Sequence, residues 1–200
     1  MIRTRRAFSL SIVLVLTLCT FQSCMLLRGI IVEDDIVYST KRIRADFGYV
    51  GARESYSPLI QATQTIIKEI KPNTPDRYQS FVRMKLRSNS FQLENRVFLL
   101  IDNAAYKLNV ESVEFERNSN IQEKRKDIMT VDSSKVSVVT GYEQNQSNDY
   151  RLSYTFEPNL IEKIKTATTI SFRYYSGPDM ITIPMGSFNL KTFKMIVERQ

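Results

Sequence analysis

"SFVRMKLRS", residues 80–88, alternates strictly between apolar and basic side chains from Val82 to Arg87. A β-strand points successive side chains to opposite faces, so this pattern predicts a half-buried strand whose apolar face packs on a core. The apolar set is Val82, Met84 and Leu86, and the basic set is Arg83, Lys85 and Arg87.

The alternation continues on both sides of a polar turn further along the chain. "NRVFLLID", residues 95–102, is apolar on both faces, as a central strand would be. Asp102 and Asn103 predict a turn into the next strand. Further strands are expected in residues 105–110, 112–116, 135–142, 149–157, 168–175 and 180–185. Pro184 cannot donate a ladder hydrogen bond, which places the last of them at an edge or a strand end.

Three segments have the spacing of helices. "SPLIQATQTIIKEIKP", residues 57–72, combines an apolar stripe with Pro58 at a favourable first position and Pro72 as a stop. Residues 157–167 begin with Pro158 and place three apolar residues on one face. The last segment, residues 187–200, is expected to be capped by Ser187.

Two polar segments are expected to be loops. Residues 117–133 are rich in charge and amide side chains, and "EQNQSN", residues 143–148, would connect two strands as a hairpin loop. Many antiparallel strands with two or three helices predict an α+β fold, a mostly antiparallel sheet covered by those helices. The alternative is a β-sandwich with peripheral helices.

The amino-terminal segment has the pattern of a secretory signal. Three arginines lie in the first six residues, and no charge follows from Ala7 to Leu27. The strongly apolar part, Leu10 to Leu18, is short for crossing a bilayer, which takes about 20 apolar residues. Small Ser23 suits a cleavage site directly before Cys24.

This segment resembles a bacterial lipoprotein precursor of the Bacteroidetes or spirochaete type, with a relaxed cleavage box formed by Phe21, Gln22, Ser23 and Cys24. The resemblance implies that the chain is cut between Ser23 and Cys24 and that Cys24 receives acyl chains. It implies a signal peptide over 1–23 and a lipidated Cys at 24. From the length and pattern of the rest of the chain we expect a short tether up to residue 38 and a single domain over 39–200. The domain would lie in the cell envelope, on the outer membrane facing the periplasm. An uncleaved transmembrane anchor is the alternative, because 21 uncharged residues separate Arg6 from Arg28.

The composition narrows the chemistry of the domain. The chain contains no His, and its two cysteines, Cys19 and Cys24, both lie at the amino end. A Ser-His-Asp triad is therefore excluded, and lipidation of Cys24 would consume the one thiol of a processed chain. Removing residues 1–23 leaves 25 basic and 21 acidic residues, a net charge of +4. This mild excess falls short of a nucleic-acid-binding footprint but suits an anionic membrane surface.

The basic face of residues 80–88 is the strongest candidate site. Period-two spacing puts Arg83, Lys85 and Arg87 on one face of one strand, about 7 Å apart. Such a row would bind an anionic lipid or an acidic protein. The competing interpretation, which the sequence favours, is a solvated sheet face on which Glu114 and Glu116 of a neighbouring strand neutralise the cations.

Other candidates have ordinary structural explanations. Glu114 and Glu116 share a strand face and are expected to be solvated rather than a catalytic pair. The aromatic residues of 150–156 and 170–175 alternate as core residues do. No metal site and no cofactor are expected.

The sequence therefore predicts a membrane-anchored envelope lipoprotein that acts as a non-catalytic binding or assembly module. Its ligand is not readable from the residues. Two alternatives remain open, an envelope enzyme that uses a carboxylate pair and an immunity or inhibitor lipoprotein.

Overall fold

The computed structural model describes residues 29–51, 56–129 and 135–199. Strands hold 67% of the described residues and helices 13%, so the protein is predominantly β and the α+β expectation is wrong. The strands are β1 Ile30–Asp35, β2 Thr40–Val50, β3 Leu59–Ile70, β4 Arg77–Arg87, β5 Leu93–Ile101, β6 Ala104–Lys107, β7 Asn109–Met129, β8 Lys135–Phe156, β9 Ile170–Ser176 and β10 Asp179–Pro184. The helices are α1 Pro158–Thr166 and α2 Ser187–Glu198.

The strands form two antiparallel sheets. A curled six-stranded sheet has the order β1-β2-β3-β4-β8-β7, and a four-stranded sheet has the order β10-β9-β5-β6. The chain leaves the first sheet after β4, builds β5 and β6 of the second, and returns with β7 and β8. β10 is an edge strand, as Pro184 predicts, and β5 is central, as its apolar sequence predicts.

The inner faces of the two sheets share one core with the helices. The Tyr154 and Tyr174 hydroxyls, one from each sheet, lie 3.2 Å apart, and Gln64 Nε2 donates hydrogen bonds of 2.9 Å to Tyr154 and to Ser80. Burial raises the pKa of the Tyr154 phenol and that of Tyr174. These aromatics are core residues, as the sequence predicts. Because each buried hydroxyl has a partner, the contact also fixes one sheet against the other.

Helix α2 packs on β2 and β3, and α1 packs on α2. The predicted Ser187 cap is wrong. The N-cap residue is Gly186, no side chain caps the helix, and Ser187 is its first residue.

The predicted helix over 57–72 is strand β3, which pairs with β2 and β4 along its whole length. Its inner face carries Ala62, Gln64, Ile66 and Lys68, all buried. Two of these four side chains are polar, so the period of two is hidden in the hydropathy pattern. The β-branched Thr63, Thr65, Ile66 and Ile67 suit a strand.

The predicted loop over 117–133 is a strand as far as Met129, and its residues 130–133 lie outside the described residues. The predicted hairpin loop over 143–148 is also a strand. Residues 117–129 extend β7, residues 143–148 lie inside β8, and the two strands pair with each other over this length. The turn at Asp102 and Asn103 is confirmed, with φ of 47° and 71°.

Residues 1–28 lie outside the described residues, and with them the predicted signal peptide, the cleavage position at Ser23 and the lipidation site at Cys24. Residues 30–35 of the predicted tether form β1, which pairs with β2 from Ile30 opposite Ala45 to Asp35 opposite Thr40. In the three described ranges, neither helix is long and apolar enough to cross a bilayer.

Candidate functional site

The basic row, defined as Arg83, Lys85 and Arg87, lies on β4 in the middle of the six-stranded sheet. Between its members, Val82, Met84 and Leu86 are at most 2% exposed and fill the core. The three basic side chains therefore occupy the opposite, outer face of the sheet, as the alternation predicts. A central strand paired on both sides holds such a row rigidly, because its backbone is fixed by two ladders.

The expected ion pairs between the basic row and the two glutamates do not form. Strand β8 lies between β4 and β7. Its Arg151 forms ion pairs with both carboxylates, at 3.6 Å from Glu114 and 3.3 Å from Glu116. Both glutamates are exposed on the outer face, as their spacing predicts. They share a cation, so neither is held as the buried acid of a catalytic pair.

The strand register places the basic row beside side chains that form no ion pair with it. Arg83 lies opposite Thr63 on β3 and opposite Arg151 on β8, which places two guanidinium-bearing residues side by side. Lys85 lies opposite Asp149, whose carboxylate accepts hydrogen bonds from Asn118 at 2.6 Å and Ser147 at 3.0 Å. Across the described part of the chain, no carboxylate forms an ion pair with any member of the row.

A groove of about 790 Å³ crosses the outer face next to the basic row. Its walls come from β2, β3, β4, β7 and β8. Three arginines line it with four hydroxyl side chains, two acids and the half-exposed ring of Phe81. The polar lining residues are Arg44, Arg83, Arg151, Thr63, Thr65, Ser112, Ser153, Asp46 and Glu114.

Arg44 has spare hydrogen-bonding capacity at one end of this groove. Its Nη2 pairs with Glu33 at 3.5 Å, but its Nε is buried and has no hydrogen-bond partner in the structure. A guanidinium presents its N–H groups as a planar fork that matches carboxylate and phosphate oxygens. The groove therefore brings together three guanidinium groups and four serine and threonine hydroxyls, all of which are donors that suit an oxyanion.

Sequence reasoning found the basic row but missed Arg44 and Arg151. The alternating pattern of residues 149–157 predicts the strand that contains Arg151. The sequence does not show that this strand lies between β4 and β7, because the order of the strands depends on the topology of the sheet. Within residues 29–51, 56–129 and 135–199, no group of three or more Cys, Asp or Glu side chains is placed to hold a metal ion.

The chain was compared with family models, curated proteins and solved structures, and nothing in any of the three sets matches it.

Proposed function

We propose that this protein is an envelope lipoprotein that binds an anionic ligand without catalysis. Cys24 anchors it through acyl chains, and the outer face of the six-stranded sheet is the binding surface. The ligand offers phosphate or carboxylate groups spaced to meet several cations at once. The signal pattern of residues 1–24 supports the anchor, and the basic row supports the binding surface.

The observation that carries the proposal is a row of three cations on a central strand, none of which forms an ion pair with a described residue. At about 7 Å, two unit charges in water repel by only about 0.6 kcal/mol, so the fold tolerates the row without a ligand. An oxyanion bound between two of them gains from both at the same time. The adjacent groove supplies hydroxyl donors and the apolar ring of Phe81, which would contact the uncharged part of the same ligand.

The anchor fits the place where the folded part begins. Six Cα-to-Cα steps separate Cys24 from Ile30, the first residue of β1, and they span at most about 22 Å when fully extended. A lipidated Cys24 would hold the sheet within that distance of the bilayer. Two or more acyl chains give durable anchoring, whereas one chain gives only marginal binding.

The binding test uses the full-length protein, held by its own anchor in phosphatidylcholine nanodiscs. Soluble probes are titrated: glycerophosphoglycerol for a lipid head group, a phosphorylated lipopolysaccharide core oligosaccharide, and polyglutamate for an acidic protein. The triple variant Arg83→Gln, Lys85→Gln, Arg87→Gln is expected to weaken binding of the preferred probe at least tenfold, and added salt should weaken wild-type binding.

The matched control is the triple variant Lys107→Gln, Lys191→Gln, Lys194→Gln. It removes the same net charge from β6 and α2, and it should leave the affinity within about twofold. Equal affinities of the two triple variants, or no binding of any probe to the wild type, would refute the binding surface. Intact mass measurement of the membrane-extracted protein tests the anchor separately, because a chain that retains residues 1–23 or carries no acyl mass contradicts it.

A further inference from the structure

The hairpin of β7 and β8, the longest among the described strands, extends past the end of β4. β4 ends at Arg87, opposite Ser147 of β8, and past that point β7 and β8 pair only with each other. We call residues 119–129 and 135–146 the ribbon. The ten steps from Ser119 to Met129 correspond to about 33 Å.

The ribbon carries apolar side chains that no part of the described structure covers. Six large apolar residues on it are between 43% and 69% exposed. They are Ile121, Ile128, Met129, Val136, Val139 and Tyr142. A two-stranded ribbon is marginally stable alone in water, and here both of its edges are open. A surface that packs on these side chains would stabilise it.

The far end of the ribbon combines apolar side chains with basic ones. The tip is defined as residues 125–129 and 135–139. Its cross-strand pairs set Arg125 beside Val139, Lys126 beside Val138, and Met129 beside Lys135. The tip so defined carries three cations and one acid, Asp127. The residues that join its two halves add Asp132, so the sequence from 125 to 139 has a net charge of +1. Arg125 is paired with Glu123 at 2.7 Å, whereas Lys126 and Lys135 form no ion pair with a described residue.

Apolar side chains bordered by free lysines match the boundary between lipid head groups and acyl chains. There the apolar groups leave water while ammonium groups stay at the level of the phosphates. Anionic lipids add an attraction for each basic residue near the surface. A protein groove could also cover the apolar side chains, but the charge of the tip favours an anionic bilayer.

The position of Ile30 relates the proposed anchor to the same surface. β1 is antiparallel to β2, so Ile30 is the residue of β1 nearest the end of the sheet at which β2 and β7 finish, which is the end that bears the ribbon. Ile30 lies level with Ser80 through Ala45 and Ile66, seven residues below Arg87, which is about 23 Å. The link from Cys24 spans at most about 22 Å, so its length allows Cys24 to lie near that end of the sheet.

We infer that the tip of the ribbon is a second membrane contact, which inserts apolar side chains into the interface of an anionic bilayer while Lys126 and Lys135 bind lipid phosphates. The inference rests on the proposed anchor at Cys24, because the anchor brings the tip within reach of the bilayer. The ribbon would then lie obliquely on the membrane surface, and the basic row would stand at the end of the sheet that faces the bilayer.

The test places a fluorescent reporter on the tip of the full-length lipoprotein. In a processed chain the Cys24 thiol carries lipid, so Val139→Cys supplies one free thiol for an environment-sensitive dye. Proteoliposomes that contain phosphatidylglycerol should shift the emission to the blue, and spin-labelled lipid should quench it several-fold. The same dye at Lys191→Cys on α2 should remain in water and unquenched.

A second variant checks the role of charge. Lys126→Gln, Lys135→Gln should reduce the quenching at position 139 at least threefold in phosphatidylglycerol vesicles, while Lys191→Gln, Lys194→Gln should not change it. Because Lys126, Lys135 and Lys191 are exposed and Lys194 is only partly buried, both variants are expected to fold.

The outcomes separate the inference from the proposed function. A water-exposed dye at position 139 on a chain whose mass proves lipidation overturns the tip contact and leaves the anchor standing. If the mass shows no lipid, the anchor fails; vesicles are then added to a Cys19→Ser, Cys24→Ser chain that is labelled only at position 139, and an unshifted emission overturns the tip contact as well. A blue shift that depends on protein concentration without lipid means that a second copy covers the tip, which also overturns the inference.

Discussion

Replacing Lys68 by Met tests how the carboxyl-terminal helix is held on the sheet. Lys68 lies on the inner face of β3, and only 3% of the residue is exposed. Its ammonium donates to the carbonyls of Val197 at 3.1 Å and Arg199 at 2.7 Å, and it pairs with Asp76 at 3.0 Å. Three donor protons thus meet three acceptors, two of them at the negative end of α2, where a cation is favourable.

The expected loss follows from what each acceptor keeps. Hydrogen bonds to charged groups contribute about 1.5–3 kcal/mol each, but the three do not add. Asp76 has a side chain that is 36% exposed and regains water, and the carbonyl of Val197 still accepts from the Tyr78 hydroxyl at 3.4 Å. Met keeps most of the packing of the lysine stem. We therefore expect Lys68→Met to lower the free energy of unfolding by about 2–3 kcal/mol.

Urea denaturation of the purified protein, followed by tyrosine fluorescence and circular dichroism, measures this loss. Lys71→Met is the matched control, because Lys71 is exposed just past the end of the same strand, and it should change stability by less than about 0.5 kcal/mol. Asp76→Asn should cost less than Lys68→Met. If Lys68→Met is as stable as Lys71→Met, the cost of burying the ammonium cancels its bonds, and the reasoning is refuted.

Two further substitutions test local geometry. Gly177 has φ of +58°, and an added Cβ would lie 2.6 Å from Cγ of Phe91. Gly177→Ala should therefore lower the free energy of unfolding by about 1–2 kcal/mol. Gly141 has open space around it, so Gly141→Ala should change the free energy of unfolding measured in urea by less than about 0.5 kcal/mol. The Asp102 carboxylate accepts hydrogen bonds first from the Thr168 hydroxyl and then from backbone N–H groups of Thr169 and Thr168, which lowers its pKa from 3.8. The carboxylate therefore stabilises the fold fully above pH 3.8, and this stabilisation is lost as the pH falls through the lower native pKa. The difference in free energy of unfolding between the wild type and Asp102→Asn should therefore narrow on acidification. A difference that stays constant from pH 7 to pH 2 would contradict this.

Sequence reasoning succeeded where one face of a strand is buried and the other is exposed to solvent. β4 and β9 alternate cleanly, and both are placed as predicted. It failed on β3 because Gln64 and Lys68 are buried there for reasons that only the assembled core supplies. Gln64 donates to a tyrosine of a distant strand, and Lys68 binds the end of a helix.

The strand expected over 135–142 is confirmed as part of β8. The β7 half of the ribbon escaped prediction for the opposite reason, because both of its faces are exposed, no apolar period marks it as a strand, and its polarity is that of a loop. At the candidate site, the alternation located the basic row. The ionic partners of Glu114 and Glu116 depend on the insertion of β8 beside β4, which local sequence does not encode.

The order of the strands also bears on how quickly the protein folds. β4 can complete its ladder only after β5, β6 and β7 have been synthesised, because its partner β8 follows all three. Pairings between such distant segments require long loops to close before any contact forms, which slows folding to about milliseconds to seconds. A chain with this connectivity remains unfolded for longer after synthesis, which would be an advantage for the export that the proposed function requires.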